Sequence, residues 1–207
     1  MTDAMGGHLN SGTAATASDV PVGRLDNDSL IIRLHYTVNH LSRWLTPIHD
    51  RGLLDRSVFR DQPSIKQLVA SLRDEEAVVY PMLHLIAHEV NPNLDRLTPE
   101  PRSERQERFD TQASALSTMA EFRRLRHSTL SLLRNLPNGA WQRAGTSRRD
   151  HDWQIRSLAE RLASHDLEAL YQIDVTLDRI GAREGLSGAA RTHLDELLRM
   201  TPVTLRR

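Results

Sequence analysis

Residues 153–181, WQIRSLAERLASHDLEALYQIDVTLDRIG, decide the fold. Ile155, Leu158, Leu162, His165, Ala169, Ile173 and Thr176 recur at steps of three and four, the spacing that places side chains on one face of an α-helix. Gly181 is suited to end it, because glycine enters the left-handed region without a Cβ penalty. A long helix striped on one side must bury that side against other elements, and the chain upstream supplies them.

Before it, Pro137-Asn138-Gly139 breaks a third helix over about 112–136, whose inner face is Leu116, Met119, Phe122, Thr129, Leu133 and Leu136. The second helix opens at Ser64 in a Ser-x-x-Gln capping box and carries Ile65, Leu68, Leu72, Val79, Leu83, Ile86 and Val90, with a kink expected at Pro81 and a stop at Asn91-Pro92. The first helix, over about 28–46, has Asn27 and Asp28 as cap candidates and Ile31, Leu34, Val38, Leu41, Leu45 and Ile48 as its stripe. Residues 91–111 hold three prolines and many charges. They form a long connection that lets the chain cross the bundle and avoid returning beside the second helix. A short helix follows Ser187 and ends near Leu198. The expected fold is all-α: a four-helix bundle over 26–183, a long crossover between helices two and three, and a helical C-terminal extension over 184–207. Residues 1–25 are small and polar with no apolar period, and are expected to form a disordered tail. No strand is expected.

Composition narrows the function classes. Of 207 residues, 39% are hydrophobic and 26% charged, and the formal net charge is zero, so the chain lacks the basic surplus that nucleic-acid binding needs. It has no cysteine, which removes disulfides, a thiol nucleophile and thiolate-bound zinc. No stretch reaches the ~18 apolar residues of a membrane span, and the first residues lack a signal-peptide pattern. A cytoplasmic location, with neither membrane nor nucleic acid as partner, is the expectation.

His165 falls within the apolar stripe between Leu162 and Ala169, so it is expected to face the interior, where an imidazole needs a hydrogen-bond partner or a metal. A core histidine bonded to one neighbour is the plain alternative. His84 and His88 form an i, i+4 pair that could share a metal, but they lie off the stripe with no third ligand at obvious spacing. His35, His40 and His127 read as boundary residues, and Trp141 and Trp153 as anchors of the loop. His165 and Asp166 point about 100° apart on a helix and make no dyad by adjacency.

The stretch from LRNLPNGAWQRAGTSRRD into this helix resembles the final third of the DinB/YfiT-like proteins, where a Trp-x-Arg-x-Gly loop precedes a helix with a His-x-x-x-His pair. Trp141, Arg143 and Gly145 match the loop, and His165-Asp166 open the pair. PSIKQLVASLRDEEAVVYPML is similar to the family's second helix through Ser64, Leu72, Asp74 and Glu76. The resemblance covers about residues 28–180 and implies a three-histidine site for Zn²⁺ or Ni²⁺, built from helix two and the i, i+4 pair. Here Ser71, His165 and Ala169 occupy those positions, leaving His165 as the remaining family-type ligand. No metal is therefore expected, with His84 and His88 a weaker alternative.

Ser71, Glu75, His165 and Ala169 are the ligand-pocket candidates, and the helix packing that the family implies would bring Ser71 and His165 together. Two readings follow. One is a metal-free bundle that binds a small molecule or dimerises. The other, implied by the resemblance, is a transferase or isomerase using a thiol cosubstrate of the mycothiol or bacillithiol type.

Overall fold

The computed structural model describes residues 20–57, 60, 62–97, 103–201 and 203–205. Four long helices form the body: α1 (Asn27–Leu45), α3 (Ile65–His88), α5 (Ala115–Arg134) and α6 (Ile155–Arg179). Three shorter ones accompany them: α2 (Gly52–Asp55), α4 (Glu104–Gln112) and α7 (Leu194–Arg199). Among the described residues no helix is long and apolar enough to cross a membrane.

The ends of the helices follow local chemistry. Ser64 and Gln67 form the expected capping box on α3. The cap of α1 is Asp26, one residue before the candidates, with its carboxylate accepting from the Ser29 amide at 2.8 Å. Gly181 closes α6 at φ +67°. α3 runs through Pro81 and stops at His88, so Val90 lies beyond it and is 87% exposed instead of joining the apolar face.

α1 and α3 each pack mainly against α5 and α6. Contacts set the directions. Arg73 meets Glu121 and Glu76 meets Arg126, so α3 and α5 run parallel. Ser71 meets His165 and Glu75 meets Arg161, so α3 and α6 run antiparallel. Parallel neighbours cannot be joined by a tight turn, and the connection from 89 to 114 must return along α3, a 24-residue helix about 36 Å long. The long crossover is thus present, but it leads α5 back beside α3, which the sequence reading did not anticipate. Part of it is helical. α4 caps on Ser103 and buries no side chain, and it touches the body through polar contacts such as Arg73 Nη1–Asp110 Oδ1 at 2.6 Å.

Two apolar clusters fill the bundle. One gathers Leu41, Trp44, Leu72, Phe122 and Ile173; the other gathers Leu34, Val79, Leu83, Leu130 and Leu162. Segments before and after the four long helices join them. Val20 and Leu25 are buried in the second cluster, so the bundle begins before the expected boundary at residue 26; residues 1–19 of the anticipated tail lie outside the described residues. Leu194, Leu197 and Leu198 of α7 enter the first cluster, and Trp44 Nε1 donates to the Thr192 carbonyl at 2.8 Å, so the C-terminal extension is part of the core. Leu25 forms an isolated antiparallel bridge with Leu205, fastening the segment before α1 to residues that follow α7.

The loop before α6 also contains a minimal antiparallel pair, β1 (Ala144–Gly145) with β2 (Trp153–Gln154), where no strand was expected. Its backbone groups have no helical partner and must pair somewhere. Gly145 makes the approach possible, since a Cβ there would stand 2.8 Å from Leu94 Cδ2.

Candidate functional site

Between the two apolar clusters lies a layer of polar side chains, one from each long helix. Arg126 on α5 is fully buried. Its Nε donates to Glu76 Oε2 on α3 at 2.7 Å, its Nη1 and Nη2 to Asp166 on α6 at 2.5 and 2.9 Å, and Nη1 also to the Leu34 carbonyl of α1 at 2.9 Å. Thr37 of α1 donates to Asp166 Oδ2 at 2.7 Å. Burial works against the guanidinium charge, but the Asp166 and Glu76 carboxylates outweigh it and hold the Arg126 pKa above its ordinary value. Burial pushes the Glu76 carboxyl up, with Arg126 pulling it partly back.

This layer changes the place expected for His165. The residue that reaches the centre of the bundle is its neighbour Asp166, while His165 is half-buried at the α3–α6 seam. There its Nε2 lies 3.0 Å from Ser71 Oγ, so the approach of these two residues is realised. One turn along, Glu75 takes Arg161 in a two-pronged pair, Oε1–Nε 2.5 Å and Oε2–Nη2 3.2 Å, and the Arg161 guanidinium lies 5.3 Å from the Trp153 ring centroid. Ala169 is buried, with only a methyl to offer.

The other histidines divide. His84 and His88 are exposed on α3 with stacked rings 4.2 Å apart, and His88 Nδ1 donates to the His84 carbonyl. His35 and His127 are exposed. His40 is no boundary residue: it is 1% exposed, rests against the Trp44 ring, and neither ring nitrogen has a hydrogen-bond partner among the described residues. Burial, followed by Arg43 and Arg33, lowers its pKa to about 4. Among the described residues no group of three or more His, Asp or Glu side chains is placed to hold a metal ion.

The loop motif has structural work. Trp141 is buried, and Arg143 donates to the Ala87 and Glu89 carbonyls, both at 2.6 Å, capping the C-terminus of α3. Trp153 packs against the second apolar cluster, the anchoring role expected of it. It is half-buried, holds Asp150 through its indole N–H at 2.9 Å, and borders a groove.

That groove, about 1230 Å³, is lined by residues of α3, α5, the crossover and the loop before α6. Ala77, Val78, Pro81 and Met82 of α3 and Leu125 of α5 give it an apolar lining. Arg124, Arg149, Asp150 and Arg161 supply charge around it. Ser71, Glu75, His165 and Ala169 do not line it; Arg161, held by Glu75, does. Sequence reasoning missed the groove because only part of its lining is helical; the rest comes from the crossover and the loop before α6, which have no periodicity to read.

Among solved structures the chain is similar to YfiT from Bacillus subtilis, described as a probable metal-dependent hydrolase with an unusual four-helix bundle topology. The TM-score is 0.61 at 18% identity, over 75% of this chain and 87% of that one. The all-α four-helix fold is the one that the sequence resemblance implied. At this identity the likeness carries the fold and no activity. No family model matches the sequence, and no curated protein matches it.

Proposed function

We propose that this protein is a metal-free bundle that binds a small organic molecule in the groove beside α3. The observation that carries the reading is the groove itself: an apolar concavity left open to solvent, with Val78 48% exposed, on helices that elsewhere bury their apolar faces. Such concavities are where a small molecule gains most by leaving water.

The donor set at the family-type position supports the metal-free half. Ser71 offers a hydroxyl already engaged with His165, and Ala169 offers a methyl, so one imidazole remains where a divalent transition metal needs three protein ligands. A thiol-dependent transferase of the family type would lack the same ligands. The candidates nonetheless bear on the groove, because Glu75 orients Arg161 beneath Trp153 at its edge.

Two measurements test this. Protein purified without chelator should carry no stoichiometric zinc or nickel by elemental analysis; one tightly bound ion per chain would overturn the metal-free half. The uncharged fluorescent probe N-phenyl-1-naphthylamine should bind saturably, and Val78→Gln should weaken it roughly threefold or more by making the lining polar. A probe that binds the variant as well as wild type would remove the groove as the site.

A further inference from the structure

Resting on that reading, the side chains around the groove go further and select a ligand class. Among the described residues four carboxylates line it, and each is committed. Asp74 is held by Arg73 at 2.8 Å, and Glu121 by Arg73 at 3.1 Å. Asp95 accepts from the Ser147 hydroxyl and the Arg148 amide, at 2.7 and 2.9 Å. Asp150 accepts from the Trp153 indole and meets His151 Nδ1 at 2.8 Å. These bonds hold the Asp95 and Asp150 carboxyls below their ordinary pKa range, the Arg148 amide leading for the first and the Trp153 indole for the second.

The arginines are not committed to the same degree. Arg73 and Arg161 are bonded within the protein. Arg124 reaches Glu121 only at 3.8 Å and is 77% exposed. The Arg149 guanidinium donates no hydrogen bond among the described residues; its backbone amide donates to Ser147 Oγ at 3.2 Å and also bonds Asp95, which the guanidinium meets only through its charge. Counted as formal charge the groove is balanced; counted as spare hydrogen-bonding capacity it offers donors. The free donors are guanidinium groups from two different walls, the α5 wall and the loop wall, beside an apolar lining.

We propose that the groove binds an amphipathic organic anion. Its apolar or aromatic body lies on Val78, Pro81 and Met82, and its carboxylate or similar head is taken by Arg124 and Arg149. A guanidinium fork recognises a planar anionic head through two parallel hydrogen bonds, and one still largely hydrated in the free protein gives up little to do so. A cationic ligand would find the four described carboxylates already occupied, and an uncharged one would leave both arginines unused.

A matched pair of probes separates this from the underlying reading. 8-Anilinonaphthalene-1-sulfonate and uncharged N-phenyl-1-naphthylamine share an aromatic body and differ in the anionic head. The full chain should bind the sulfonate more tightly. Arg124→Gln with Arg149→Gln should weaken the sulfonate by about tenfold while leaving the uncharged probe within about twofold, and raising salt should erode the difference. Both arginines are at the surface, so the variant should keep the wild-type melting temperature. Decanoate and 2-naphthoate, displacing the sulfonate in turn, tell an alkyl body from an aromatic one. If the double variant holds both probes as wild type does, or the uncharged probe binds as tightly as the sulfonate, the anion assignment is overturned while the groove stands. If neither probe binds, the groove itself is the wrong site.

Discussion

Arg126 occupies the position on α5 that Phe122 and Thr129 leave between them, in register with the buried stripe. Glu76 stands likewise between Leu72 and Val79, and Asp166 between Leu162 and Ala169. Opposite charges in register on three apolar stripes are visible in the sequence, but a reading that counts apolar recurrence alone passes between them. Partners across helices cannot be read from one helix, and an unpaired buried charge would be prohibitive. His40 shows the same limit in a simpler form. Its burial was not legible because the true face of α1, through Leu30, Leu34, Thr37, Leu41 and Trp44, is turned from the stripe of Ile31 and Val38. The consequence is measurable. With its pKa at about 4 in the folded protein and near 6.5 unfolded, the unfolded chain takes up a proton between those values and the native one does not. Stability is therefore full above about pH 6.5 and is lost as pH falls toward 4, by about 3 kcal/mol from this residue. His40→Leu should be at least as stable as wild type at pH 7.5 and should lose less on acidification. Urea melts of both proteins at pH 7.5, 6 and 4.5 decide it, since other titrating groups cancel in the comparison. Equal losses would mean that His40 is satisfied in solution.

At the level of elements, the four long helices were legible because each pairs a strong period with clear punctuation: Ser64 and Gln67 at one start, Gly181 at one end. The crossover was not. Its α4 has a cap at Ser103 but no apolar face to announce it, and it is tied to α3 by polar contacts, the Arg73–Asp110 ion pair and the Lys66 ammonium on the Thr111 carbonyl. That makes α4 the element most open to a single change. Asp110 is 19% exposed against an Arg73 that is 6% exposed, so their bond is partly desolvated and worth more than a surface pair, on the order of 1–2 kcal/mol. Asp110→Asn should leave global stability nearly unchanged, because Arg73 keeps Asp74 and Glu121. Local opening of α4 should become easier, and its amides should exchange about five- to tenfold faster, with the amides of α3 unaffected. Hydrogen exchange read by mass spectrometry resolves the two segments. Unchanged protection over residues 104–112 would show that α4 is held by something other than this pair.

For the whole molecule, the test is whether three positions on two helices converge as the sequence resemblance implies. α3 and α6 run antiparallel, with Ser71 beside His165 at 3.0 Å, and Ala169 stands one turn further along α6 on the same side of the helix. Residues that far apart in sequence meet only if both helices have the right register, the right direction and the right partner. Converting Ser71→His and Ala169→His together should then create three imidazoles at one place, enough to hold Zn²⁺ or Ni²⁺. Either change alone gives two, which compete poorly with water. Ala169 is 4% exposed, so its enlargement should destabilise the metal-free double variant by about 1–3 kcal/mol, and bound metal should restore part of that. Melting curves with and without metal, beside calorimetric titration, measure both effects. If the folded double variant binds no more metal than wild type, the three positions do not converge at the seam between α3 and α6. If it binds and wild type does not, the seam is intact, and what separates this chain from a metal-binding bundle is two side chains.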